Sequence, residues 1–385
     1  MVLGAAASIL PMQRNQPPQV YFVYLGRRGP AGRFTLELAQ ACRERPEIGA
    51  TFVVSRRNPI AADLRQLGCS LLELETFESA TSMSVARNFF AARRQLLSCL
   101  DHNRASAVVN LMPHVWTPLF GREIRRRGIR YVTIIHDALK HPGDATGHLT
   151  GWLRSEAHFA DRVITLSRAV ADQLSKLQIA DSGRVRTLFH PDLRYDGPMP
   201  EQERDFKKPL KLLFFGRILK YKGLPTLLAA IELLRREGTH VELGVAGSGD
   251  IGKETSRLAA LGAEVINRWV DDDEVGRLLA RYDAIVLPYH EASQSGVAAT
   301  AFGACMPVVG TAVGGITEQV LDGLTGVLAS STTAGSLADA IRRLDIDRDL
   351  CIKISTHLRQ TSLERSMKRF LGEIIAESAV GVPRL

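Results

Sequence analysis

Between Leu210 and Gly326 the chain alternates short, continuously apolar runs with glycine-bearing turns and helical segments. The runs predict strands at Leu210–Phe215, Val241–Ala246, Glu264–Asn267, Ala284–Leu287 and Met306–Gly310. Helices are expected at Leu224–Arg236, Thr255–Leu261, Val275–Arg281 and Val297–Gly303, with another starting near Thr317. A strand apolar on both faces has to be covered on both faces. Alternation with helices therefore predicts a parallel sheet sandwiched by helices. The loops 216–223, 247–250, 288–296 and 314–317 each follow a strand, so they should gather at its carboxyl edge, where such sheets bind ligands. The first is the most informative. Gly216 to Gly223 joins a strand to a helix start, a place where free N–H groups and the helix dipole favour an anion. Arg217 and Lys222 add two mobile cations there, which suits a diphosphate better than one phosphate.

The first half has the same rhythm. Strands are expected at Val20–Leu25, Thr51–Ser55, Ser70–Leu74, Ala107–Asn110, Tyr131–Ile135, Arg162–Leu166 and Val185–Phe189. Helices are expected at Phe34–Arg45, Ser84–Leu100 and Leu153–Phe159, and from a Ser167 cap to Leu177. The first strand runs into GRRGPAG at 26–32, which lacks the G-x-G-x-x-G order of a dinucleotide fingerprint. The fifth strand ends in His136-Asp137, with Lys140 and His141 in the same loop. His136 is either a core imidazole held by a hydrogen bond or a ligand-edge residue, and the crowding of polar groups favours the second. The 385 residues are too many for one ordinary core. We expect a first domain over 1–190, a polar linker over 191–209 and a second domain over 210–365. A C-terminal helix over about 366–385 should pack back on the first domain. The cleft between the two is the expected ligand site.

Charge is uneven. Residues 1–190 carry 25 Lys and Arg against 15 Asp and Glu, nearly all the cations being Arg; the remainder carries 24 against 26. Such a half faces nucleic acid, an anionic membrane or an acidic ligand, or is a solvated basic surface. Nucleic acid fits worst, because the basic half shows no interleaved exposed aromatics and no known module. The helix from Ser84 sets arginines beside Phe89 and Phe90, as an ordinary surface helix or one resting on anionic headgroups. The five cysteines are scattered with no metal-ligand spacing, which suits reduced thiols in a cytoplasm. No apolar run is long enough to span a bilayer, and Val2–Leu10 is a poor signal peptide.

The segments FFGRILKYKGL (214–224), VAGSGD (245–250), VDDDEV (270–275), VLPYHEASQSG (286–296) and PVVGTAVGGITEQVLDGLTGVL (307–328) together resemble the retaining glycosyltransferases of family 4, as do IIHDALKHPG (134–143) and ADRVITLSRAVADQL (160–174). The resemblance implies the GT-B fold, two Rossmann-like domains around a cleft. It implies transfer of a sugar from a nucleotide-diphosphate donor to an acceptor hydroxyl, in polysaccharide or glycolipid assembly, with neither metal nor cofactor. By this resemblance Arg217 and Lys222 grip the diphosphate, and His136 lies near the transferred sugar with Asp137 on the acceptor side. Gly29 to Gly32 forms the closing loop. Gly216, Gly247 and Ser248 line the phosphate side, and Asn267, Arg268 and Val270 meet the nucleobase. Glu291 is the first acid of the family's E-x7-E pattern, followed by Ser293, Gln294, Ser295, Gly296 and Val297 at the donor. The second acid is missing: Ala299 stands in its place. The implied partners are a nucleotide sugar and a sugar or lipid-diphosphate-linked acceptor, and the Arg-rich first half suits peripheral contact with the inner face of an anionic membrane. Two other readings stay open: a non-catalytic nucleotide-sugar binder, suggested by Ala299, or another enzyme on this fold such as a nucleotide-sugar epimerase.

Overall fold

The computed structural model describes residues 18–26, 31–77, 84–139, 149–197 and 209–379. Seven strands build the first sheet: β1 (Gln19–Tyr24), β2 (Gly49–Ser55), β3 (Ser70–Leu74), β4 (Ala107–Asn110), β5 (Arg130–Ile135), β6 (Arg162–Thr165) and β7 (Val185–Thr187). Six build the second: β8 (Leu210–Phe215), β9 (Val241–Ala246), β10 (Glu264–Ile266), β11 (Ala284–Leu287), β12 (Val308–Thr311) and β13 (Gly326–Ala329). Their orders are β3-β2-β1-β4-β5-β6-β7 and β10-β9-β8-β11-β12-β13, and every pairing is parallel. The strand order reverses at β1/β4 and at β8/β11, so each sheet opens a crevice at the carboxyl ends of those strands.

The first lobe carries α1 (Ala31–Arg43), α2 (Ile60–Gln66), α3 (Ser84–His102), α4 (Thr117–Arg126), α5 (Thr150–Leu153), α6 (Glu156–Phe159) and α7 (Arg168–Lys176). The second carries α8 (Leu224–Arg236), α9 (Thr255–Ala260), α10 (Asp272–Leu279), α11 (Gly296–Gly303), α12 (Ile316–Gln319), α13 (Ala334–Ile346) and α14 (Arg348–Gln360). Side chains alternate between the sheet faces with period 2. On β1, Phe22 and Tyr24 join the apolar cluster under α1, while Tyr21 and Val23 join the one under α3 and α4. Both faces are covered, which is why these strands read as unbroken apolar runs.

The last helix, α15 (Met367–Ser378), packs in the first lobe's core. Phe370 meets Phe34 and Phe189 edge to face at 5.4 and 5.9 Å. The expected linker is only partly polar surface. Asp192 is buried on Arg365, with both carboxylate oxygens within 3.1 Å of Nε, and Leu193 N donates to Ala299 O. Residues 198–208 lie outside the described ones.

Helices α2, α4, α13 and α14 and strand β13 were not expected from sequence. The arginine run at 122–130 hides α4: Phe120 and Ile124 are buried while Arg122, Arg125 and Arg126 face out. Arg125 and Arg126 sit in its last turn, where the helix dipole favours cations.

Candidate functional site

The loops after β8 and β9 are pressed together. Gly247 has φ +146°, and a Cβ there would stand 1.9 Å from Gly216 O, so backbone meets backbone. Gly223 has φ +71° and abuts Pro288 O in the same way. This packing turns the short helical turn Lys220–Lys222 inward. Lys222 is buried, 9% exposed, with Nζ 5.1 Å from the centroid of the Tyr289 ring. It is therefore not the mobile cation expected from sequence. Burial, and then the neighbouring Arg217 charge, push its ammonium down to about 7. Among the described residues neither Arg217 nor Lys222 has a carboxylate partner. Two adjacent cations without counter-charge, one desolvated, make a site short of an anion.

The segment after β11 completes this wall. α11 starts at Gly296, one residue before the expected Val297, and Ser295 caps it, its Oγ accepting from Ala298 N at 3.2 Å. The first-turn N–H groups of Gly296 and Val297 have no intrahelical acceptor, and both residues line the cavity. Gln294 Oε1 and the Tyr289 hydroxyl are buried without a hydrogen-bond partner among the described residues. Both residues line the same cavity.

The facing wall comes from the first lobe: Arg33 and Phe34 of α1, Met112 after β4, His136 and Asp137 after β5, and His190 beyond β7. His136 Nε2 donates to Leu111 O at 2.8 Å, and His190 Nδ1 donates to Pro191 O at 2.8 Å. A carbonyl only accepts, so each bond fixes a tautomer and leaves the other ring nitrogen as a lone pair. Burial lowers both imidazoles, His190 to about 4, so both are neutral near pH 7.

Of the residues singled out from sequence, one cavity gathers Arg217, Lys222, His136, Asp137, Gly216, Gly247, Ser248, Val270 and Ser293 through Val297. It does not include Glu291, Asn267, Arg268 or Gly32. Four residues lie between Glu291 and the helix start, and the cavity wall there is made by Ala292 through Val297. Arg268 is turned to Glu274 in a two-point ion pair. Gly32 lies inside α1, its notional Cβ 3.2 Å from Ile60. Gly29, Lys140 and His141 lie outside the described residues. Ala299, at the position of the second acid, is fully buried in the first lobe's core cluster, away from the cavity.

Sequence reading missed His190, Tyr289 and Trp269. The first two follow strands β7 and β11, so the carboxyl-edge rule applied to His136 would have found them. Trp269, whose side chain was not singled out although the Asn267–Val270 segment was, lines the cavity while 39% exposed, between β10 and α10. Among the described residues no cluster of three or more His, Cys, Asp or Glu is placed to hold a metal ion.

Two doubly wound lobes facing each other across a basic cavity define the GT-B architecture. Residues 29–188 match the model of the glycosyl transferase 4-like domain, and residues 209–347 that of the glycosyl transferases group 1. The chain belongs to the GT-B glycosyltransferases that these two models describe. It is 30% identical over 224 residues to a glycogen synthase of Mycobacterium tuberculosis, covering 55% of this chain and 53% of that protein. It is 34% identical over 206 residues to D-inositol 3-phosphate glycosyltransferase 2 of Catenulispora acidiphila, covering 48% of each. The chain thus spans about half the length of these curated relatives. Anabaena Alr3699/HepE, solved with UDP and glucose, superposes with a TM-score of 0.69 at 17% identity, over 94% of this chain and 99% of that one. At that identity the likeness is one of fold.

Proposed function

We propose that this chain is a retaining glycosyltransferase that moves a sugar from a nucleotide-diphosphate donor to an acceptor hydroxyl. The observation that carries this reading is the pairing of unneutralised Arg217 and Lys222 on one wall of the cavity, with His136 on the other. In the reaction the bond from the anomeric carbon to the diphosphate oxygen breaks, and its electron pair leaves with the diphosphate. Arg217, Lys222 and the first-turn amides of α11 stabilise that growing charge, which is the largest demand of the step. The acceptor oxygen bonds to the same face of the sugar and passes its proton to the departing phosphate oxygen, so configuration is kept. No metal is needed in this scheme, because side-chain cations supply the charge. The neutral lone pairs of His136 and His190 are available to sugar and acceptor hydroxyls. That UDP and UDP-glucose occupy the homologous fold of HepE supports a nucleotide sugar as the donor class.

The test is a panel of UDP-, GDP- and ADP-sugars. One of them should raise the melting temperature, since a ligand at about 100 times its Kd stabilises by about 2.7 kcal/mol. NMR of the product should show the donor's anomeric configuration. No shift with any donor sinks the reading, a shift without transfer or donor hydrolysis supports the non-catalytic alternative, and inverted product removes retention alone.

We further infer an acceptor held at the inner face of a membrane, such as a lipid-diphosphate-linked sugar in polysaccharide or glycolipid assembly. Arg87, Phe90 and Arg94 lie on one stripe of α3, all exposed, Phe90 at 63%. No helix among the described residues is long and apolar enough to cross a membrane. Each cation at an anionic surface contributes about 1 kcal/mol. The chain should cosediment with phosphatidylglycerol vesicles at low salt and release at high salt, and R87E/R94E should abolish this. Equal recovery with and without vesicles removes the membrane part.

A further inference from the structure

We propose that Glu318 and Gln319, two successive residues of α12, are positioning residues that couple closure of the lobes to the geometry of the diphosphate site. The inference rests on the donor reading of the cavity given above.

A four-residue helix has no stability of its own, so α12 stays where its contacts hold it. Its lead-in is pressed onto the donor-side loop. Gly315 N donates to Ala292 O at 3.0 Å, and a Cβ on Gly315 would stand 2.1 Å from Ser293 O. From this base Gln319 reaches Ser295. Ser295 N donates to Gln319 Oε1 at 2.6 Å, and Gln319 Nε2 donates to Ser295 O at 3.1 Å. One side-chain amide therefore holds both polar groups of one backbone residue. That residue is the cap of α11, so its orientation sets where the Gly296 and Val297 amides point. Leucine at 319 would fill the same space and leave Ser295 N and O without these partners.

Glu318 reaches the opposite way, to the first lobe. Its two carboxylate oxygens accept from Arg168 N at 2.6 Å and Ala169 N at 2.8 Å, the first-turn amides of α7. Beside them Ser167 Oγ donates across the interface to Ser293 O at 2.6 Å. A carboxylate at a helix N-terminus satisfies orphan donors and complements the dipole. These bonds exist only while the lobes are together. When they are made, the peptide unit that carries Glu318 and Gln319 is held at both ends. Lobe closure and the placement of the Ser295 cap thus share one rigid element. Gln319 sets the site in the second lobe alone, whereas Glu318 acts only through closure, which brings His136 up to the donor. The two roles separate experimentally.

The test uses the full chain, with whichever of UDP, GDP and ADP binds the wild type. Calorimetry reads affinity, and donor turnover reads kcat. Q319L should weaken nucleotide binding about tenfold, the scale of losing hydrogen bonds at a partly buried site. E318A should bind nucleotide within about twofold of wild type, yet lose about tenfold or more in kcat. Small-angle scattering of E318A with nucleotide should show a larger radius of gyration than wild type. E318Q keeps one acceptor and should recover part of kcat. Should Q319L not fold, Q319E keeps the acceptor for Ser295 N only and should show a smaller loss of affinity. A merely structural role would instead lower the melting temperature and reduce affinity and kcat in parallel in both variants, which would overturn the coupling. So would wild-type affinity in Q319L or wild-type kcat in E318A. Failure of the underlying reading looks different: wild type binds no nucleoside diphosphate, or Arg217→Ala leaves binding and turnover unchanged.

Discussion

An Arg217→Ala chain should fold normally and lose about 10² to 10³ in turnover, or about 2.7–4 kcal/mol of barrier. The fold should survive because Arg217 has no carboxylate partner among the described residues, so its removal strands no buried counter-charge. The rate should fall because the charge that Arg217 meets grows only as the sugar leaves, and an interaction stronger in the transition state acts on kcat. Nucleotide affinity should fall by less. Arg217→Lys restores a charge without the planar two-point fork, so rescue should be partial. A second effect follows from the neighbouring cation. Arg217 helps hold the Lys222 ammonium down, so its removal should let that ammonium rise toward its ordinary value. The variant's remaining activity should then extend to higher pH than wild type. Steady-state rates from pH 6 to 9 check both statements. Unchanged kcat/KM in the variant would falsify the assignment of Arg217 to the leaving group.

Donor affinity should fall steeply above neutral pH. Lys222 is pushed down to about 7, first because it is buried and second because Arg217 is beside it. The other group facing it is the buried Tyr289, whose phenol burial raises, so it is neutral here. A bound diphosphate supplies the missing counter-charge and should return Lys222 toward an ordinary lysine value near ~10.4. The bound state then holds a proton that the free state has lost. Affinity is fully present below about pH 7 and decreases by up to tenfold per pH unit above it. Between pH 7 and 9 the loss should be roughly 50-fold. A nucleotide-diphosphate sugar is the right ligand, because its phosphates do not titrate in this range. Calorimetry in buffers of different ionisation heat should show uptake of close to one proton at pH 8. Lys222→Met should bind weakly with no such slope. A flat affinity from pH 7 to 9 in the wild type contradicts the assignment.

Much of the architecture is legible locally. The unit from β8 through the glycine turn to α8 has the boundaries expected, Leu210–Phe215 and Leu224–Arg236. An apolar run, a glycine that tolerates positive φ and a helix-forming run are properties of neighbours in the chain. The site was less legible. Lys222 looked free because nothing in KYKG reveals that the turn would be rolled under Tyr289, 67 positions away. Glu291 was placed at the donor by its resemblance to the first acid of E-x7-E, but Gln294, next to the Ser295 cap, is the residue on the cavity wall. His190 was passed over as the end of a strand, although its position mirrors that of His136.

The amino-acid sequence alone determined the two parallel sheets, most of their strands, and the presence of two cations at the end of β8. Burial on both faces of a sheet and the demands of glycine turns leave their mark on every few residues. Only the tertiary structure decided which charges are desolvated, which acids face the cavity and how the lobes touch. Glu318 meets Arg168 N across 150 positions, and Ser167 meets Ser293 across 126. Contacts at that separation depend on how the two lobes dock, and docking has no period to read.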